Sequence, residues 1–189
     1  MLEWVNRRWP NLRHALLRPF VVRISPDTVT ILALMTAIIA GVALWQHLFL
    51  AAAALILLNG FFDILDGEIA SKYGASRRGD LLDHTVDRFA DVVIIVGVIA
   101  GGLVDITIGA AAMVIILLVG YIGTEAQALT RKRLYAGLLG RADRLVLIAF
   151  GAVAEIFWTG SLSLIVALII VLSAVTFGQR FAKLWTMLG

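Results

Sequence analysis

Six apolar runs divide the chain, near residues 28–46, 49–70, 81–102, 106–128, 143–158 and 161–182. A bilayer core takes about 20 mostly apolar residues per spanning helix, and each run approaches or exceeds that length. Composition agrees: 61% of residues are hydrophobic and only 15% are charged, with a mean hydropathy of +0.96. Soluble domains run about 45–50% apolar and about 25% charged. The reading is an all-α integral membrane protein with six transmembrane helices. Connections are short, near 47–48, 71–80, 103–105, 129–142 and 159–160. The chain has no cysteine, which excludes disulfides and thiolate-bound metals.

Charge orients this array. With a cytoplasmic N-terminus, all 16 Lys and Arg residues fall on one side, among them Arg77, Arg78, Arg88, Arg131, Arg141, Arg144 and Arg180. Basic residues stay inside, so both termini are expected in the cytoplasm of a multi-pass cell-membrane protein. Before the first run, Leu2, Val5, Trp9, Leu12, Leu16 and Phe20 recur at steps of three or four, apart from Arg7, Arg8, Arg13 and Arg18. This predicts an N-terminal amphipathic interfacial helix over the juxtamembrane segment 1–24, followed by one membrane domain over 25–189. The N-terminal segment is too charged for a signal-peptide core, so no cleavage is expected. Ser25 and Pro26 suit the N-cap and first position of the opening helix.

"FFDILDGEIASKYGASRRGDLLDHTVDRFAD", residues 61–91, breaks the apolar pattern with seven acidic groups. Asp63 and Asp66 share a face at the inner end of the second run, and Asp83 and Asp87 share one at the start of the third. A short connection lets the two pairs face each other at similar depth. Ionisable groups in membrane segments are costly and mark function by default. Four clustered carboxylates repel or bind protons unless a cation joins them. An all-oxygen donor set suits Mg²⁺, Mn²⁺ or Ca²⁺ rather than zinc, and Mg²⁺ favours a few carboxylates plus substrate phosphates. For Asp80 and Asp91 the preferred reading is a salt bridge, with Asp91 pairing Arg88 three residues earlier. Gly67 and Gly79 inside the acidic array mark a seat for a diphosphate.

These residues resemble the signature of the CDP-alcohol phosphotransferases, D-x2-D-G-x2-A-R-x8-G-x3-D-x3-D. Asp63, Asp66, Gly67, Ala70, Gly79, Asp83 and Asp87 supply seven of its eight fixed residues. Ser71 stands in place of the arginine, and eight residues rather than nine separate Ala70 from Gly79. The resemblance implies transfer of a lipid phosphoryl group from a CDP-linked lipid to an alcohol, with release of CMP. It makes Asp63, Asp66, Asp83 and Asp87 ligands of two Mg²⁺ or Mn²⁺ ions, with Asp87 also the general base. It puts the nucleotide at Asp66, Gly67, Ser71 and Gly79. Lys72, Arg77 or Arg78 would supply the charge missing at Ser71. It also implies a homodimer, with membrane lipid as a partner and no nucleic acid.

The acceptor is read from "TRKRLYAGLLGRADRL", residues 130–145. Arg141 and Arg144 are three apart and face one way, and guanidinium groups recognise phosphate through paired donors. Arg131, Lys132 and Arg133 read as ordinary positive-inside charge. The Arg-x-x-Arg-Leu order resembles the inositol-phosphate branch of the family, and Arg180 is placed to join it. That branch carries basic residues late in its fourth span, where this chain has Gly123 and Glu125. The acceptor reading leans to inositol phosphate, with glycerol phosphate next. Two rival readings are disfavoured. An isoprenyl-diphosphate prenyltransferase has its acidic motifs on distant helices, and a divalent-cation transporter would hold its acids near the bilayer midplane.

Overall fold

The structure, a computed structural model, describes residues 21, 24–131, 134 and 136–189. The amphipathic helix expected before the first run, with most of segment 1–24, lies outside the described residues, as do Lys132 and Arg133.

Pro26 supplies a preset φ at the first position of α1 (Pro26–Trp45), with Ser25 as N-cap. The Ser25 side chain makes no capping hydrogen bond, although its position is the expected one. The chain continues through α2 (Phe49–Tyr73), α3 (Arg77–Ala100), α4 (Ile106–Thr130), α5 (Arg141–Glu155) and α6 (Ser161–Leu188). These six helices follow the six apolar runs. Four of them, α1, α2, α4 and α6, are long and apolar enough to cross a membrane. α3 opens on the charged stretch Arg77–Arg88, and α5, at 15 residues, is only about 22 Å long.

The expected 71–80 connection is shorter than its sequence suggests. α2 runs on to Tyr73, Gly74 turns the chain at φ +116°, and α3 begins at Arg77. Ser76 caps α3 by accepting from the Gly79 amide at 2.9 Å. The polar residues that suggested a loop are the exposed last turn of α2 and first turn of α3. The connection before α5, 131–140, likewise ends two residues earlier than expected, because Asp143 accepts from the Gly140 amide at 3.0 Å and starts the helix there.

Packing closes the described helices into a ring. α1 lies against α2 and α3, α2 against α5, α5 against α6, α6 against α4, and α4 against α3. Glycine sets the tightest crossing: a Cβ at Gly97 of α3 would fall 2.6 Å from Cα of Gly41 on α1. Backbones in membranes associate through such small residues. Ala37, Leu44, Ile56, Ile94, Ala112, Ile148 and Ile169 contribute to one apolar core shared by all six helices. At the end of the ring that holds the start of α3, polar groups replace it.

Candidate active site

Helical periodicity does the first part of the assembly. Asp63 and Asp66 project from one face of α2, Asp83 and Asp87 from one face of α3, and the connection between these helices is only residues 74–76. Carboxylate oxygens of Asp63, Asp83 and Asp87 lie within 4.8 Å of one another. Asp66, buried beside them, is turned toward α1, where its Oδ2 accepts from Thr30 Oγ1 at 2.7 Å. The structure thus brings three of the four expected ligands into one cluster and gives the fourth a neighbouring place with a neutral donor.

α5 brings the counter-charge. Arg141 forms ion pairs, its NH1 lying 2.8 Å from Asp63 Oδ1 and 3.0 Å from Asp87 Oδ1 and its Nε 3.4 Å from Asp91 Oδ1. Its NH2 reaches Asn59 Oδ1 at 3.3 Å. Arg144, 3% exposed, donates to Asp91 Oδ2 at 2.9 Å. Asp91 does meet Arg88, as its spacing predicts, at 3.8 Å, yet its shorter contacts are to Arg141 and Arg144. Asp80 accepts from Gln127 at 3.2 Å and lies 3.8 Å from His84. Five carboxylates (Asp63, Asp66, Asp83, Asp87 and Asp91) face three arginines (Arg88, Arg141 and Arg144) here. The donor set is all oxygen and carries an excess of negative charge, which fits a hard divalent cation.

Two cavities meet at these acids. One, of about 330 Å³, is lined by Asp63, Asp66, Asp83 and Asp87 together with Arg141, Arg144 and Arg180. The second, of about 370 Å³, runs past Asp66, Gly67, Ser71, Gly79 and Asp83 to Asp27 at the start of α1. A Cβ at Gly67 would meet nothing within 4 Å, so this backbone faces open space. Gly79 has a different reason: a Cβ there would sit 3.2 Å from Asp27 Oδ1 and 3.1 Å from Ser76 Oγ. Arg180 donates Nε to the Ala136 carbonyl at 2.8 Å and NH1 to the Val119 carbonyl at 3.0 Å, which holds it across α4. Its NH1 fills the space where Gly123 lacks a side chain, the position at which a basic residue was sought in sequence.

Several participants were not singled out from sequence. Asn59 is fully buried, donates to the Ala33 carbonyl at 2.7 Å and accepts from Arg141, tying α1, α2 and α5 together. A lone amide inside an apolar span was the signal that could have found it. His84 and Gln127 gave none that separates them from ordinary polar residues.

Comparison with known proteins agrees with this geometry. Residues 23–178 match the family model described as CDP-alcohol phosphatidyltransferase. An archaetidylinositol phosphate synthase of Methanothermobacter thermautotrophicus is 28% identical over 97% of this chain and 98% of its own. A phosphatidylinositol phosphate synthase of Mycobacterium tuberculosis is 31% identical over 89% of this chain and 82% of its own. The crystal structure of the M. tuberculosis synthase with CDP-DAG bound superposes with a TM-score of 0.77 at 28% identity, covering 93% of this chain and 92% of the other. The same synthase in complex with manganese and citrate gives 0.74, covering 93% and 88%. With its acidic cluster, its two joined cavities and a family match over most of its length, this chain is a member of the CDP-alcohol phosphatidyltransferase family.

Proposed function

We propose that this protein makes an inositol-phosphate phospholipid, transferring the lipid phosphoryl group of a CDP-linked lipid to inositol phosphate and releasing CMP. The observation that carries the reading is one cavity lined both by the carboxylates Asp63, Asp83 and Asp87 and by Arg141, Arg144 and Arg180. An acceptor phosphate suits the arginines, and its hydroxyl then faces the acids. The inositol-phosphate synthases among the relatives support the same acceptor.

In this reading Asp63, Asp66, Asp83 and Asp87 hold two divalent ions, Mg²⁺ or Mn²⁺. When bound, these ions polarise the diphosphate and offset the charge on departing CMP. Asp66, Gly67, Ser71 and Gly79 border the second cavity, which suits the nucleotide. Asp87 takes the proton from the acceptor hydroxyl as its oxygen bonds to the lipid-linked phosphorus. The bond from that phosphorus to the CMP oxygen breaks in the same displacement, and CMP leaves with the electron pair. Asp91 and Asn59 orient Arg141, and Asp91 also holds Arg144.

The wider reading is a membrane domain over 25–189 with all six helices in the bilayer and an interfacial segment over 1–24. Both termini and the site face the cytoplasm, where the basic residues gather, and the family resemblance adds a homodimer. The test is direct: purified protein is given CDP-diacylglycerol or CDP-archaeol, Mg²⁺ or Mn²⁺, and a panel of soluble alcohols. CMP release with inositol phosphate, abolished by EDTA, is expected. Turnover with glycerol phosphate alone would reassign the acceptor, and full turnover in EDTA would remove the metal mechanism.

A further inference from the structure

Arg141 reaches two of the three carboxylates that could share a divalent cation. Its NH1 is 2.8 Å from Asp63 Oδ1 and 3.0 Å from Asp87 Oδ1, and these carboxylates with Asp83 form the convergent trio. A guanidinium and a metal ion drawn to the same oxygens repel each other, and the repulsion is strong in a partly buried site. Arg141 has a second set of partners outside the trio. Asn59 Oδ1 meets its NH2 at 3.3 Å and Asp91 Oδ1 lies 3.4 Å from its Nε. The side chain therefore keeps an anchor after releasing Asp63 and Asp87. It also lines the 330 Å³ cavity beside Arg144 and Arg180.

We propose that Arg141 is a built-in surrogate cation whose displacement couples metal loading to acceptor binding. In the metal-free protein its NH1 neutralises Asp63 and Asp87 and is closed to other anions. A divalent ion taken up by the trio displaces NH1, which pivots on the Asn59 and Asp91 contacts and becomes a donor for a phosphate in the cavity. Metal and acceptor thus bind with positive coupling, and the phosphate subsite is complete only once the acids are occupied. This inference rests on the assignment of Asp63 and Asp87 as metal ligands.

The test is a Mn²⁺ titration of the full chain in detergent micelles, with free ion read by electron paramagnetic resonance. Removing the competitor in Arg141→Ala or Arg141→Gln should tighten Mn²⁺ binding at least about fivefold, the lower end of typical coupling between sites. Arg141→Lys keeps the charge and should stay near wild type. Unchanged or weaker binding in both neutral variants overturns the proposal. A second measurement needs only the wild-type fold: with ¹⁵N-labelled arginine, the Arg141 guanidinium resonances should shift on adding Mg²⁺. Resonances unmoved at saturating Mg²⁺ would equally overturn it. Asp63→Asn and Asp87→Asn separate the two readings. Wild-type Mn²⁺ affinity in those variants would reject the metal assignment itself. Weakened affinity there, with no tightening in the neutral Arg141 variants, would reject only the surrogate cation.

Discussion

Asp87 is proposed to differ from its three companions in the chemistry it performs, and single-residue changes should reveal it. It shares Arg141 NH1 with Asp63 and also belongs to the convergent trio. Asp87→Asn keeps size and hydrogen bonding but cannot take a proton. Turnover is expected to fall by roughly 10²–10⁴-fold, with a much smaller change in CDP-lipid affinity, as measured by single-turnover kinetics and equilibrium binding. Near-normal turnover would move the base to Asp83. Arg144 makes a second residue-level case. It is the shortest contact of buried Asp91, so Arg144→Ala leaves that carboxylate with longer partners only. Breaking such a pair from one side costs about 3–5 kcal/mol. A lower melting temperature in detergent is expected, together with a rise in acceptor KM of about tenfold or more. A raised acceptor KM without any loss of stability would show that Asp91 does not depend on this partner.

At the scale of helices, the ends carry as much information as the apolar middles. Glu155 closes α5 and is buried, accepting from the Gly160 amide at 2.6 Å, Ser161 Oγ at 2.8 Å and the Leu162 amide at 2.7 Å. It thereby caps α6, whose first amides have no intrahelical acceptor. Glu155→Ala strands these donors, and each unsatisfied buried group costs about 1–3 kcal/mol. A clear drop in thermal stability is expected, with kcat retained below the transition, by unfolding and CMP-release assays on the same sample. A loss of kcat at full stability would give this distant carboxylate a part in the reaction.

The existence and order of all six helices were legible, because apolar runs of this length leave few alternatives. The acidic pairs were legible too, since charge inside such runs is costly enough to need a reason. Helix termini at 71–80 and 129–142 were not, because Ser71, Lys72, Arg77 and Arg78 read as loop while they form exposed helical turns. Spacing revealed the Arg88 contact of Asp91 but not that Asp91 also gathers two arginines from α5. Two of those contacts join positions about fifty residues apart, which only the packed ring brings together.

For the whole molecule, the ring places α1 and α3 in backbone contact through Gly41 and Gly97. This crossing sets the site's register, because α1 carries Thr30 and Asp27 while α3 carries Gly79 and Asp83. Gly97→Val would wedge the two apart. Overpacking typically costs 1–3 kcal/mol, and loss of activity is expected to accompany the fall in melting temperature. A variant as stable and active as wild type would show that the crossing tolerates separation. The seam between α3 and α4 has the opposite construction, for it is filled by a charged side chain. The Arg88 guanidinium occupies the space where Gly120 would otherwise bear a Cβ. The two positions are thus coupled: a side chain gained at position 120 requires the Arg88 guanidinium, the far end of a flexible side chain, to move aside. Across an alignment of relatives, side chains larger than glycine at 120 should therefore be rarer where position 88 is arginine, and equal frequencies with and without that arginine would contradict the coupling.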